Sequence, residues 1–223
     1  MIVLISQSFQ FTQVCRHHRQ TIMSHVDTLP ELELPFLDRM FSKDAKNYHV
    51  WSYRQWLVRH FSLWDSEIPF VEALLDADVR NNSAWNHRWF VVFGRYLDPS
   101  KHSISNSNSY SALSETILGN EIEYTQGKIA LAPQNQSPWN YLRGIVRHRA
   151  DHLATLKTFA EKFANVEDED QIQSSHALDF LADIYTGERR HDKSGRALEL
   201  LASKYDPIRK NYWEYRKTLL QPA

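Results

Sequence analysis

Cysteine is nearly absent from this sequence of 223 residues, because Cys15 is the only one. A single thiol excludes an internal disulfide framework, and it also excludes a zinc cluster built from several cysteines of this chain. Proteins without disulfides are typical of reducing compartments. We therefore predict a cytoplasmic protein with no metal site of its own.

A strong net charge is also lacking. The 26 lysine and arginine residues nearly balance the 27 aspartate and glutamate residues, which leaves a net charge of −1. A near-neutral chain has no general attraction to nucleic acid or to an anionic membrane surface. We predict no nucleic-acid partner, and any site for a polyanion must be local.

Long hydrophobic runs are missing as well. The start of the chain, MIVLISQSFQF, has no basic residue ahead of its apolar run. That run covers about five residues, which is shorter than a signal peptide or a membrane span requires. We expect no direct membrane insertion, and we interpret residues 1–15 as an atypical or frayed N-terminal segment.

The apolar residues that are present recur at helical spacing. Glycine (6) and proline (8) are scarce, and Ile68, Val71, Leu74 and Leu75 trace one helical stripe. Similar stripes run through residues 115–131, 153–164, 176–185 and 194–204, and no segment alternates in the manner of a strand. We predict an all-α fold, with a Ser/Asn-rich loop at 100–114.

Helix starts are predicted from residues that can cap a helix. Such residues precede an apolar run or a proline at the first helical position. They are Asn47, the pair Asn81 and Asn82, Ser137 before Pro138, and Asp206 before Pro207.

Tryptophan followed by a basic residue recurs along the chain. Trp51, Trp85, Trp139 and Trp213 are followed three or four positions later by Arg54, Arg88, Arg143 and Arg216. The first interval, from 51 to 85, is 34 residues, a length that holds two short helices and their turns. We predict an alpha-alpha superhelix, a solenoid of antiparallel hairpins that forms one domain over 16–223. In it tryptophan fills the core between hairpins, and each arginine bridges to an acidic residue or lies against a ring.

Three motifs carry a resemblance to a known family. KNYHVWSYRQWLV, DVRNNSAWN and SPWNYLRG resemble the repeats of the alpha subunit of protein farnesyltransferase and geranylgeranyltransferase type I. The resemblance covers about residues 13–220. The alpha subunit of Rab geranylgeranyltransferase has related repeats and ranks second. Tetratricopeptide arrays share the period but not the tryptophans.

The resemblance implies a heterodimer in which this chain wraps around a catalytic beta subunit and is not active alone. The dimer transfers a farnesyl or geranylgeranyl group from its diphosphate to the cysteine of a C-terminal CaaX sequence. It also implies that the beta subunit holds the zinc ion, and that magnesium can accompany the diphosphate. Residues His148 and His152 of this chain lie four positions apart, but they lack the glutamate of a zinc-binding HExxH helix.

Site residues follow from the same resemblance. Lys46, Asn47, Tyr48 and His49 match the second of two family motifs, K-N-Y-H, which faces the diphosphate and the peptide. Displacement of diphosphate builds negative charge on the leaving oxygens, and a cation with hydroxyl donors suits that position. We also expect Trp51, Arg54, Asn82, Trp85 and Arg88 to pack between hairpins and to contribute to the interface with the beta subunit.

The first family motif, K-N-Y-Q, supplies a catalytic lysine and tyrosine and is not found here. One alignment places Phe11 at the lysine and Gln13 at the tyrosine; a shift of one residue places Gln10 and Thr12 there instead. In a third alignment Gln13 matches the glutamine of the motif. No alignment recovers a lysine, so we expect an N-terminally truncated form with impaired catalysis.

Simpler interpretations stay open for these residues. Asn47 can act only as a helix cap, Tyr48 and His49 can pack between hairpins, and Lys46 can be a solvated charge. A non-catalytic scaffold that binds another protein is therefore the alternative function.

Overall fold

The structure, a computed structural model, describes residues 11–94, 115–146 and 153–220. These residues are helical except for turns and one isolated bridge between Asn165 and Asp168. The predicted all-α class is therefore confirmed for the described part of the chain. The predicted loop at 100–114, His148 and His152 lie outside the described residues, as do the first ten residues of the predicted N-terminal segment.

Eleven α-helices occur in the described ranges. They are α1 (Gln13–Met23), α2 (Glu33–Lys43), α3 (Tyr48–Phe61), α4 (Trp64–Ala77), α5 (Asn82–Gly94), α6 (Glu115–Leu131), α7 (Gln136–Val146), α8 (Leu153–Glu161), α9 (Ser175–Gly187), α10 (His191–Leu200) and α11 (Lys210–Thr218). Short 3₁₀ turns cover Glu169–Gln171 and Pro207–Arg209, and a π-helical turn, Leu201–Tyr205, follows α10. Helix α1 begins at Gln13, inside the segment that the sequence analysis interpreted as frayed.

The chain divides into two compact units, residues 1–109 and 110–223. In the first unit, α2 packs against α3 and α4 against α5, while α3 also lies against both α1 and α5. In the second unit the pairs are α6 with α7, α8 with α9 and α10 with α11, and α7 lies beside α9. Each pair is a helical hairpin, as predicted. That all hairpins form a single domain over 16–223 stays a prediction.

The repeated tryptophans fill the core of these hairpins. Trp51, Trp85, Trp139 and Trp213 are at most 5% exposed. In the first unit, Trp51 lies 4.5 Å from Phe41 and 5.0 Å from His87 between ring centroids. Burial of such large rings is a major source of stabilisation in an array whose single hairpins cannot form a core.

A carbonyl shared by two repeats joins neighbouring hairpins. The oxygen of Ala45 accepts a hydrogen bond from Nε1 of Trp51 at 2.9 Å and another from Nδ2 of Asn81 at 3.3 Å. One repeat earlier, Nδ2 of Asn47 donates to the oxygen of Phe11 at 3.2 Å. We refer to this arrangement as the shared-carbonyl joint.

The second unit repeats the joint with different residues. The oxygen of Pro133 accepts from Nε1 of Trp139 at 2.9 Å and from Oγ of Ser174 at 2.5 Å. Ser174 also caps α9, since its oxygen accepts from the backbone N–H of Ala177. Four residues after Ser174, the fully buried Leu178 takes the place of tryptophan. The repeat that contains α9 thus differs in sequence from the others but keeps the shared-carbonyl joint.

One predicted helix cap is wrong by two residues, and another is confirmed for one of its two candidate residues. Of the two residues predicted to cap α5, Asn81 and Asn82, Asn81 does so, because its Oδ1 accepts from the N–H groups of Ser83 and Ala84. In the same way, Asn135 accepts from the N–H of Ser137, which had been predicted as the cap of α7. Only the capping residue lies where its side-chain oxygen reaches the amides two and three residues ahead. When adjacent residues are also polar, the sequence does not show which of them is the cap.

Candidate functional site

The candidate site is the segment Lys46–His49, at the start of α3. Asn47 is the residue that begins the helix: its Oδ1 accepts from the N–H groups of His49 at 2.9 Å and Val50 at 3.3 Å. Its Nδ2 is used in the shared-carbonyl joint with Phe11. Because both polar atoms of the side chain are engaged within the chain, Asn47 is a structural cap, as the simpler interpretation proposed.

Lys46 lies on the surface beside the next hairpin. Its side chain is 60% exposed, and Nζ lies 3.3 Å from Oδ2 of Asp78, which is 47% exposed. The backbone N–H of Lys46 donates to Oδ1 of Asp44 at 2.9 Å, so the turn before α3 is fixed. A solvated ion pair of this kind contributes at most about 1 kcal/mol. Lys46 is therefore held in place but remains available to a stronger anion.

Tyr48 and His49 complete the segment in different environments. Tyr48 is 71% exposed, so it does not pack between hairpins. His49 is partly buried, and its ring lies edge-on to Tyr48 at a centroid distance of 5.5 Å. Nδ1 of His49 is buried and has no hydrogen-bond partner among the residues that the structure describes. A cation, a phenol and an imidazole thus lie together at the positive end of α3.

The cap of helix α1 supports one of the alignments of the first family motif. Thr12 caps α1 by accepting from the N–H of Cys15, as Asn47 caps α3. When the two caps are aligned, Phe11 stands at the position of Lys46 and Gln13 at that of Tyr48. Phe11 is 3% exposed, and its ring lies 6.0 Å from Phe36 and 5.8 Å from Tyr53 between centroids. In the cap alignment this position holds an apolar side chain in the core, and the absence of the family lysine stays a prediction.

The spacing between the carbonyl of the joint and the arginine is also one residue shorter in the first repeat than in the second. The carbonyl of the joint and the arginine of the repeat are separated by eight residues in α1, from Phe11 to Arg19. In α3 they are separated by nine, from Ala45 to Arg54. The cap and the arginine therefore align Phe11 with Lys46, whereas the carbonyl of the joint aligns Phe11 with Ala45.

A buried charge network joins α3, α4 and α5. Glu67 is fully buried and accepts from Nε and Nη2 of Arg54 at 2.9 Å each, and it lies 2.6 Å from Nε2 of His87. The guanidinium of Arg54 also lies 3.3 Å from the ring centroid of Phe70. The predicted roles of the arginine, a bridge to an acid and a contact with a ring, are both confirmed.

Opposing effects set the pKa values in this network. Burial raises the pKa of Glu67, but hydrogen bonds from His87 and Arg54 outweigh it and hold the pKa below its ordinary value. Burial also lowers the pKa of His87, against the opposing effect of its bond to Glu67. Near neutral pH the network therefore contains a charged Glu67, a charged Arg54 and a neutral His87.

Equivalent glutamates occur in two other repeats and were missed from the sequence. Glu33 accepts from Arg19 and from the hydroxyl of Tyr53, and Glu121 accepts from the hydroxyl of Tyr141. In all three repeats the glutamate precedes its tyrosine or histidine by 20 residues. That constant interval is the signal that could have identified them.

The residues predicted for the partner interface belong mostly to the core of this chain. Trp51, Arg54, Trp85 and Arg88 are 2–5% exposed, and Nη1 of Arg88 donates to Glu72 at 3.0 Å. Asn82, in contrast, is exposed. Four of these five side chains therefore act within the chain, and an interface role for them stays a prediction.

The second unit contains a closed ring of four charges. Arg143 of α7 and Arg216 of α11 both contact Asp179 and Asp183 of α9, at N–O distances of 2.5–2.9 Å. Burial raises the pKa of Asp183, although both arginines oppose that effect. The ring ties three helices together, which confirms the predicted bridging role of these arginines.

No cluster of three or more histidine, cysteine or acidic side chains that could hold a metal ion occurs in residues 11–94, 115–146 and 153–220. Within the same ranges, no helix is both long and apolar enough to span a membrane.

Comparisons with known proteins agree with this hairpin structure. The model of the protein prenyltransferase alpha subunit repeat matches residues 30–61, 64–94 and 118–149, which correspond to the hairpins α2–α3, α4–α5 and α6–α7. The farnesyltransferase/geranylgeranyltransferase type-1 subunit alpha of Candida albicans is 40% identical over 208 residues, covering 90% of this chain and 63% of that protein. The corresponding subunit of Dictyostelium discoideum is 32% identical, covering 82% of this chain and 43% of that protein.

A solved structure, Candida albicans protein geranylgeranyltransferase-I complexed with GGPP, also matches. The TM-score is 0.76 at 37% identity, and the match covers 94% of this chain and 65% of that chain. It confirms the predicted fold class, the alpha-alpha superhelix of these subunits. The chain spans less than two thirds of the length of the Candida relatives. From its repeats, its hairpins and these relatives, we conclude that the chain belongs to the protein prenyltransferase alpha-subunit repeat family.

Proposed function

We propose that this chain acts as the alpha subunit of a heterodimeric protein farnesyltransferase or geranylgeranyltransferase type I in the cytoplasm. Its partner is the beta subunit, and its small-molecule substrate is a prenyl diphosphate. Its protein substrates end in a CaaX sequence. The names of its Candida and Dictyostelium relatives support this assignment over the Rab enzyme. The solved Candida relative, which is complexed with GGPP, supports the prenyl diphosphate.

The observation that carries the proposal is the contrast within one repeat. Residues of α3 that hold the fold, such as Trp51 and Arg54, are buried, whereas Lys46 and Tyr48 are exposed at the positive end of the same helix. Solvent-exposed polar residues that the fold does not require are the ones available for a ligand. Lys46 and Tyr48, with Nδ1 of His49, suit the charge that develops on a departing diphosphate.

Metal chemistry belongs to the assembled enzyme in this proposal. The beta subunit holds the zinc that activates the substrate thiol, and magnesium can accompany the diphosphate. The role of this chain is to bind and orient the diphosphate end and to present a surface to its partner. It is not active alone.

We further propose that catalysis by this form is impaired, because Phe11 occupies the position of the family lysine. Phe11 is buried and cannot donate a hydrogen bond to a departing oxygen. Loss of one such donor typically lowers the rate by about 10²- to 10³-fold.

The first experiment tests assembly. The chain is co-expressed with the beta subunit of the Candida enzyme, and the mixture is analysed by size-exclusion chromatography. Co-elution is expected; separate elution contradicts the proposed subunit.

The second experiment tests the missing lysine in the assembled dimer. Phe11, Thr12, Gln13 and Val14 are replaced by Lys-Asn-Tyr-Gln, and prenyl transfer to a CaaX peptide is measured. The control keeps Phe11 and carries the other three changes. A rise in kcat of about 100-fold or more that depends on the lysine is expected. Equal rates in all three proteins refute the impairment.

A non-catalytic scaffold is the second candidate function. The buried Phe11 favours it, since a scaffold has no need of the lysine. A dimer that assembles but neither binds a prenyl diphosphate nor gains activity from the replacement supports the scaffold.

A further inference from the structure

The segment Lys46–His49 is held in place by two residues of the following repeat. Asp78 and Asn81 both lie between α4 and α5, on the turn that enters α5. Oδ2 of Asp78 lies 3.3 Å from Nζ of Lys46, and Nδ2 of Asn81 donates to the carbonyl of Ala45, the residue directly before Lys46. The next hairpin thus contacts both the backbone and the side chain of the candidate site.

The two contacts differ in how easily they can be broken. Asn81 is 1% exposed, and its other polar atom caps α5, so its bond to Ala45 is part of the core. The ion pair between Lys46 and Asp78 is solvated on both sides. An exposed pair of single charges is weak and is screened by salt, whereas a diphosphate offers several negative oxygens.

Asp78 also has a second bond that does not depend on its charge. Its Oδ1 accepts from the backbone N–H of Arg80 at 2.9 Å, which fixes the turn that carries Asn81. An asparagine at this position keeps that acceptor and loses only the negative charge. The charge of Asp78 can therefore be tested apart from the fold.

From these contacts we propose that Asp78 and Asn81 are positioning residues for the diphosphate site. Asn81 fixes the backbone before Lys46, and Asp78 is an exchangeable counter-ion that orients the Lys46 ammonium until a diphosphate displaces it. This inference rests on the proposed function, because it assumes that Lys46 contacts the diphosphate. It adds that the neighbouring repeat sets the affinity of that contact.

The test is a double-mutant cycle in the dimer with the beta subunit. The Kd of geranylgeranyl diphosphate is measured by calorimetry for the wild type, Asp78→Asn, Lys46→Met and the double variant, at low and high salt. Removing the competing carboxylate should tighten binding about two- to fivefold at low salt, and the gain should shrink at high salt. In the Lys46→Met background, Asp78→Asn should leave Kd unchanged.

A matched control is Asp170→Asn, which removes an exposed charge in the other unit and should not alter Kd. If Asp78→Asn tightens binding equally with and without Lys46, simple repulsion explains the gain and the exchange is refuted. Unchanged or weaker binding by Asp78→Asn also refutes it.

A second arm separates this inference from the proposed function. The full chain without partner is titrated with inorganic pyrophosphate, and the NMR signal of the methylated Lys46 amine is followed. Asp78→Asn should shift that signal before pyrophosphate is added and should lower the pyrophosphate concentration needed to move it. If the dimer fails to bind geranylgeranyl diphosphate while these shifts occur, the proposed function fails and the counter-ion role stands. If Asp78→Asn shifts nothing in the free chain, the counter-ion role fails whatever the dimer binds.

Discussion

Nε2 of His87 lies 2.6 Å from Oε2 of Glu67, and both side chains are completely buried. Arg54 supplies two further hydrogen bonds to the same carboxylate. The stability of the first unit should therefore depend on the protonation of one histidine and on the integrity of one ion pair.

The pH dependence follows from the lowered pKa of His87. In the unfolded chain a histidine titrates near pH 6.5, so below that pH the unfolded chain binds a proton that the folded chain does not. Stability from His87 is complete above pH 6.5 and is lost as the pH falls toward the lower folded pKa. The pKa of Glu67 is also lowered, so its contribution is lost only at more acidic pH.

We expect the unfolding free energy of His87→Gln to decrease less than that of the wild type as the pH falls from about 7.5 to about 5.5. Urea unfolding at several pH values measures this slope. The exposed His25→Gln is the control and should retain the wild-type slope. Identical slopes for His87→Gln and the wild type contradict the prediction.

Arg54→Met should destabilise the first unit by about 3–5 kcal/mol, because it leaves the buried charge of Glu67 with His87 alone. Adding Glu67→Gln removes that charge and should restore part of the loss. Hydrogen exchange of the amides in α4 and α5 measures the stability of the first unit directly. A double variant less stable than Arg54→Met would show that the charge is not the cause.

Tyr53→Phe tests the bond between a repeat and its own glutamate. The hydroxyl of Tyr53 donates to Glu33 at 2.8 Å inside the core, and burial, together with this bond, raises the pKa of the phenol. Its loss should cost about 1–2 kcal/mol in unfolding free energy, since Arg19 still binds the carboxylate. Tyr48→Phe removes an exposed hydroxyl from the same helix and should change stability by less than about 0.5 kcal/mol.

The shared-carbonyl joint predicts which substitutions Asn81 tolerates. Asn81→Ala removes the cap of α5 and the bond to Ala45, and should cost about 1–2 kcal/mol. Asn81→Ser should recover most of that stability, because Ser174 makes both contacts at the equivalent place in α9. Exchange rates of the Ser83 and Ala84 amides report on the cap. Equal losses for both variants would argue against the joint.

The charge ring of the second unit should respond unequally to its two acids. Asp179 is 13% exposed and contacts both arginines, so Asp179→Asn should cost about 2–3 kcal/mol. Asp183 is 43% exposed, and Asp183→Asn should cost less than about 1 kcal/mol. Thermal unfolding of the two variants compares them, and a larger loss for Asp183→Asn would reverse the ranking.

The sequence was sufficient to predict the helices and the hairpins. Tryptophan spacing and apolar periodicity identified the repeats, and stripes such as 115–131 coincide with a helix, α6. These patterns are visible in the sequence because burial requires apolar residues on every turn of a helix.

Contacts between repeats could not be read in the same way. Whether Asn81 or Asn82 caps α5 depends on which side chain faces the preceding turn. The alignment of Phe11 depends on one residue fewer between the carbonyl of the joint and the cap of α1, which the composition does not reveal. The environment of Lys46 required the position of Asp78, which is 32 residues further along the chain, from 46 to 78. Such facts are set by the tertiary structure and leave weak traces in a single sequence.

The joint between hairpins has a consequence for how such arrays diverge. Its acceptor is a main-chain oxygen, which is present whatever side chain stands at that position, so mutation cannot delete it. When Leu178 stands in for tryptophan, the serine before it still anchors the helix to its neighbour. The anchoring residues can therefore change until a sequence profile no longer detects the repeat, although the helices still pack in the same way. Counts of repeats that rely on aromatic residues will therefore underestimate the number of repeats in proteins of this kind.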